Sequence, residues 1–101
     1  MPRHAPRTQK SYRDELPPLL AERGISYRQF AQAIGVTQSY LSRTLNAERA
    51  PSARILEAAA SELGLPKDYF PEYREHVAIE ALKRDGVLRD SIYDSVKRRR
   101  R

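Results

Sequence analysis

Ser26-Tyr-Arg-Gln-Phe-Ala-Gln-Ala-Ile-Gly-Val-Thr-Gln-Ser-Tyr-Leu-Ser-Arg-Thr-Leu-Asn46 decides the fold of this chain. Ser26 is a short hydroxyl residue ahead of an apolar set at helical spacing, Phe30, Ala31 and Ile34, so it caps a helix that closes at Gly35. Thr37 caps a second helix, in which Leu41 and Leu45 are four residues apart and point inward. Gln38, Ser39, Ser42, Arg43 and Asn46 occupy its other faces. Gly35 accepts the positive φ of a tight turn, Ala31 lets the two helices approach, and Val36 and Leu41 bury the corner. The second helix is therefore held out rigidly, with a polar face capable of hydrogen bonding.

A rigid helix fits the major groove of duplex DNA. Base edges there present distinct donor and acceptor patterns, which amide and guanidinium groups match bidentately. Working outward, Asp14 is expected to cap a first helix through Leu16, Leu19 and Leu20 to Gly24. Pro17 and Pro18 belong only in a first helical turn, so this helix should be short or start irregularly. Pro51 and Ser52 open a fourth helix with Ile55, Leu56, Ala59 and Leu63 on one stripe, closed by Gly64. Pro66 should start a short turn that delivers Tyr69 and Phe70 to the core and ends at Pro71. Beyond it, Val77, Ala78, Ala81 and Leu82, a break at Asp85-Gly86, then Leu88, Ile92 and Val96 describe two thin amphipathic helices. No segment alternates with a period of two. The class is all-α.

Phe30-Ala31, Gly35-Val36-Thr37-Gln38 and Leu41-Ser42 follow the line of a known family, and the likeness continues through Leu45-Asn46 and Pro51-Ser52. Residues 26–64 thus resemble the lambda-repressor-like (Cro, or xenobiotic-response-element, XRE) helix-turn-helix family, and with the first helix the resemblance covers roughly residues 14–70. It implies a bundle of four to five helices, here with one or two extra C-terminal helices. It also implies base contacts from Gln38, Ser39 and Arg43, and phosphate contacts from Tyr27, Tyr40, Ser42, Asn46 and Arg49. The family usually places glutamine where this chain has Tyr27, and glycine where it has Ala47. An alanine in a left-handed conformation costs on the order of 1 kcal/mol, so the third helix is expected to run on by one residue instead.

Charge is distributed in blocks. The chain has 101 residues and a formal net charge of +6. Residues 1–13 carry four cations (Arg3, Arg7, Lys10, Arg13) and no acid, and five more follow at Lys97, Arg98, Arg99, Arg100 and Arg101. Between them, residues 23–54 hold five arginines against one glutamate, whereas residues 55–96 hold five cations against nine carboxylates. One half of the fold is thus suited to face phosphate. The chain reads as a flexible basic arm (1–13), a DNA-binding domain (14–71), a C-terminal helical extension (72–96) and a basic tail (97–101). Arm and tail either solubilise the protein or lie along DNA.

There are no cysteines, which removes disulfides, thiolate metal sites and cysteine nucleophiles together. No apolar run approaches the roughly 20 residues of a membrane span, and the N-terminus lacks a signal peptide's apolar stretch. A cytoplasmic protein is expected. His4 and His76 show no converging ligands or nucleophile, so neither enzyme, cofactor nor metal is expected.

The expected partner is double-stranded DNA, and the function a sequence-specific transcriptional regulator, a repressor by the resemblance. The stripe Val77, Leu82, Leu88, Ile92 and Val96 either packs on its own core or forms the seam of a homodimer. Two other readings stay open: a protein-interaction module of antitoxin type that uses the C-terminal helices, and a nonspecific architectural DNA binder.

Overall fold

Short polar side chains at helix starts replace the bonds that the first amides of a helix lack. In the computed structural model, which describes residues 7–100, Ser11, Ser26, Thr37, Ser52 and Asp85 each accept from a backbone N–H three residues on. The helices they open are α1 (Tyr12–Glu22), α2 (Tyr27–Ile34), α3 (Gln38–Leu45), α4 (Ala53–Glu62) and α6 (Gly86–Arg99), while α5 (Pro71–Arg84) begins on a proline. No strand occurs among the described residues.

The core lies between α1, α2, α3, α4 and the corner before α5. Tyr12, Leu16 and Leu20 line one side of α1, and Phe30, Ala31 and Ile34 the inner face of α2. Leu41 enters from α3, and Ile55, Leu56, Ala59, Ala60 and Leu63 from α4 and its end. Phe70 plugs the centre with no exposed surface. Its ring meets Tyr12 edge-on at 5.4 Å and Tyr69 at 5.2 Å, the geometry aromatic quadrupoles favour.

Several details differ from the sequence expectation, each for a tertiary reason. Helix α1 starts at Tyr12 and is capped by Ser11, while Asp14 sits in its first turn. The helix also runs through Pro17 and Pro18. Tyr12, Leu16 and Leu20 explain this, because their four-residue spacing places three buried anchors on one side, two of them ahead of the prolines. The carboxylate of Glu72, at the start of α5, accepts from the Tyr12 N–H at 3.0 Å. An anion at this helix N-terminus also complements the helix dipole.

Residues 7–13 are therefore not a free arm. The Thr8 N–H donates to the Tyr69 carbonyl at 3.2 Å. The Arg74 guanidinium donates to the carbonyls of Thr8 (2.8 Å), Asp68 (2.8 Å) and Tyr69 (2.9 Å). Arg3, His4 and Arg101 lie outside the described residues. Pro71 starts α5 instead of ending a turn. Its missing N–H costs nothing at the first helical position.

The third helix does not run on. It ends at Leu45, and Ala47 adopts the left-handed φ of 62°, with the Glu48 and Arg49 amides folding back onto the Arg43 carbonyl at 2.9 and 3.3 Å.

Helices α5 and α6 form a hairpin about Asp85. α5 packs on α4, and α6 packs chiefly on α5. Neither helix contains a fully buried residue. The radius of gyration is 16.1 Å, against about 13 Å for a compact chain of 100 residues, so the hairpin projects from the bundle. Helix α6 carries Lys97, Arg98 and Arg99 in its last turn, where cations suit the C-terminal carbonyls.

Candidate nucleic-acid interface

The α2–turn–α3 unit is fixed by local bonds at every step. Ser26 and Gln29 form a reciprocal capping box. Gly35 takes φ 80°, and the Val36 N–H returns to the Ala31 carbonyl at 2.9 Å. Thr37 then caps α3 by accepting from the Tyr40 N–H at 3.0 Å.

From behind, α3 is pinned by Leu41 and Thr44, both fully buried. The Thr44 hydroxyl donates to the Leu41 carbonyl at 2.7 Å. Its single proton being used there, the bond of 3.0 Å between Thr44 Oγ1 and the Tyr12 hydroxyl has Tyr12 as donor. Burial pushes the Tyr12 hydroxyl above its ordinary value, and the nearby Tyr40, Glu72 and Tyr27 add to this. The phenol is thus held neutral as a donor, and α1 is tied to the back of α3.

Gln38 and Ser39 in the first turn of α3, and Arg43 in the last, are all exposed, Ser39 and Arg43 on the face opposite Leu41 and Thr44 and Gln38 at its edge. Ser42 and Tyr40 are half-buried, and Asn46 is the exposed C-cap. Tyr27 is the first residue of α2 and is 37% exposed. The Arg49 guanidinium lies 5.3 Å above the Tyr40 ring, a cation–π contact that brings the loop after α3 back to its first turn. Among the described residues, Arg28, Arg43, Arg49 and Arg54 form no ion pair with a carboxylate.

The terminal cations are divided. Arg13, on α1, lines the same dent as Arg49, Tyr12, Thr44 and Ala47, so it belongs with the α3 region. Arg7 makes an exposed ion pair with Asp68 at 3.9 Å, Lys10 is exposed, and Lys97 to Arg99 stand on α6, at the far end of the hairpin from its turn.

The helix-turn-helix family profile matches residues 19–70, about half of the chain. This protein belongs to the helix-turn-helix family of DNA-binding transcriptional regulators. In this helix-turn-helix chain the turn proper is Gly35-Val36-Thr37. A curated relative, the trifunctional NAD biosynthesis/regulator protein NadR of Salmonella typhimurium, is 37% identical over 67 residues. That alignment takes in 65% of this chain and 16% of the relative, so the chain spans a small part of the relative's length. No solved structure matches the chain. No helix among the described residues is long and apolar enough to cross a membrane.

Thr44 from within α3, and Tyr12, Glu72 and Arg74 from outside the helix-turn-helix segment, support it, and the sequence reading assigned none of them a role. Tyr12 had a signal, its four-residue register with Leu16 and Leu20, which the prolines and the flanking basic composition masked. Thr44 had a weaker one, its place three residues after Leu41 on the inward side. Glu72 and Arg74 reach residues 60 and 66 positions away in the chain, and no local pattern announces that.

Proposed function

We propose that this protein reads a specific operator in the major groove through α3 and represses transcription by occupying it. The observation that carries this reading is the exposed polar face of α3, with Gln38, Ser39 and Arg43, backed by wholly buried Leu41 and Thr44. A helix so held keeps its side chains in register with base edges, because little reorganisation is needed on binding. Gln38 and Arg43 have the donor and acceptor geometry to match adenine and guanine. Ser39 completes the face at the first turn.

Register on the duplex comes from phosphate contacts by Tyr27, Tyr40, Ser42, Asn46 and Arg49, with Arg13 beside them. The remaining cations, Arg3, Arg7, Lys10, Lys97, Arg98, Arg99, Arg100 and Arg101, add sequence-independent attraction. Replacing 97–101 by alanines is expected to flatten the salt dependence of log K by up to about 0.9 per lost phosphate contact.

The protein acts as a homodimer, joined through the extension that carries Val77, Leu82, Leu88, Ile92 and Val96. A two-fold dimer sets two reading heads about 34 Å apart. Selection of bound duplexes from a random pool tests the whole reading. The expected result is a two-fold-symmetric motif with half-sites one helical turn apart. Equal recovery of all sequences would overturn it in favour of nonspecific binding.

A further inference from the structure

The two ends of α3 are fixed by different means. At its start, the Gly35 turn, the Val36 N–H on the Ala31 carbonyl (2.9 Å) and the Thr37 cap (3.0 Å) join it to α2 through consecutive residues. Leu41 anchors its middle. In its last turn the fully buried residue is Thr44, a polar one, and the group that meets it comes from α1, 32 positions away: the Tyr12 hydroxyl, at 3.0 Å. The Glu48 and Arg49 amides also bond the Arg43 carbonyl, but they belong to the loop that leaves α3 and move with its end.

Tyr12 is itself firmly placed. Both carboxylate oxygens of Glu72 accept from its N–H, at 3.0 and 3.1 Å, and its ring meets Phe70 edge-on at 5.4 Å. At 1.5 Å per residue, Arg43 lies about 7.5 Å from Gln38 along the helix axis. A tilt of α3 about the turn therefore displaces Arg43 and leaves Gln38, beside the pivot, nearly in place. Binding groups need to be held within about 0.5 Å of their productive geometry, and over that lever a tilt of about 4° exceeds this.

We propose that Tyr12 is a positioning residue for DNA reading: its hydroxyl, bonded to Thr44, sets the tilt of the last turn of α3 and with it the aim of Arg43. Gln38 and Ser39 are set by the turn instead. The proposal rests on the α3 reading above and adds which distant residue governs which base contact.

Tyr12→Phe is a mild probe, because the Thr44 hydroxyl keeps its bond to the Leu41 carbonyl at 2.7 Å and no buried donor loses its partner. Selection of the full chain's bound duplexes from a random pool, run for wild type, Arg43→Ala and Tyr12→Phe, reads the effect base pair by base pair. Tyr12→Phe is expected to lower the preference at the base pair that Arg43→Ala loosens by about two- to tenfold, the range allowed by the net strength of one hydrogen bond. The other base pairs should keep their wild-type preference. Thr44→Val should loosen the same base pair, and Thr44→Ser, which retains the hydroxyl, should not. The Tyr12→Phe and Thr44→Val changes combined should do no more than the stronger of the two.

Tyr69→Phe separates positioning from stability. It deletes another tyrosine hydroxyl, whose partner is Glu15 of α1 at 2.6 Å, and should leave the motif unchanged whatever its urea midpoint. A Tyr12→Phe motif identical to the wild type's, a loosening spread evenly over all base pairs, or the same loosening in Tyr69→Phe overturns the proposal and leaves the α3 reading standing. A wild-type pool without a motif, or a motif that Arg43→Ala leaves unchanged, overturns the α3 reading and this proposal with it.

Discussion

Residues 12–70 and residues 71–99 are both helical, yet they are stabilised in different ways. In the first region every helix sends at least one fully buried side chain into a common core, and its one fully buried polar residue, Thr44, bonds to both Leu41 and Tyr12. In the second, two helices of 14 residues bury no residue completely. Their caps and charges are good: Asp85 accepts from the Leu88 N–H at 3.0 Å, and Glu80 pairs with Lys83 and Arg84 at 3.8 and 3.9 Å. Such exposed pairs contribute little. The hairpin therefore rests on local propensity and on the contacts of α5 with α4 and with the N-terminal segment, whereas deep burial supports the bundle. The bundle thus fixes α3 through its own core, and the hairpin adds no fully buried residue to it.

Core truncation should separate the two regions most sharply. Phe70→Ala removes a side chain with no exposure and is expected to cost about 3–5 kcal/mol, enough to unfold a marginal domain. Ile79→Ala, 44% exposed on α5, should stay within about 0.5 kcal/mol of wild type. Equal shifts in urea midpoint would erase the distinction.

Arg43→Ala leaves the core untouched and is expected to weaken specific DNA binding by about 1–3 kcal/mol while loosening the choice at one base pair. An unchanged isotherm with unchanged site preference would remove Arg43 from the reading face. The strained position within the bundle gives a smaller effect of opposite sign. Ala47→Gly relieves the left-handed φ of 62° and should raise stability by about 1 kcal/mol, measured as a higher urea midpoint.

The smallest effect is a pH dependence within the bundle. Burial first, then the hydrogen bond to Glu15 and that carboxylate's charge, push the Tyr69 hydroxyl from 10.0 up to about 12. A group with a raised folded value retains its proton longer in the folded than in the unfolded chain. The stability it adds is full below the ordinary value of 10.0 and is lost as pH rises through about 12. The unfolding midpoint should therefore fall across that window, and Tyr69→Phe should remove this part of the fall.

The helix-turn-helix was legible because its signals are local: Ser26 and Thr37 as caps, Gly35 as the stop, and Phe30, Ala31, Ile34 and Leu41 at helical spacing. The exposed positions of Gln38, Ser39 and Arg43 follow from the same periodicity. Local rules misjudged the places where distant groups compensate. Pro17 and Pro18 argue against a helix until Tyr12 is seen anchored ahead of them. The basic N-terminal stretch looks unstructured until Arg74 is found holding the Thr8 carbonyl. Ala47 should avoid a left-handed conformation, yet it adopts one where the chain leaves α3 for α4.

By itself the sequence determined where helices begin and end in its middle third, which residues of α3 turn outward, and that its basic charge is concentrated at the termini and between residues 23 and 54. These are consequences of backbone capping and of a repeat of 3.6 residues, both of which act over a few positions. Tertiary structure alone decided that Tyr12 backs α3, that residues 7–11 are docked against the 68–74 corner, and that α6 stands away from the core. Those outcomes depend on hydrogen bonds and burial between groups up to 66 residues apart, whose meeting is set by how the helices pack.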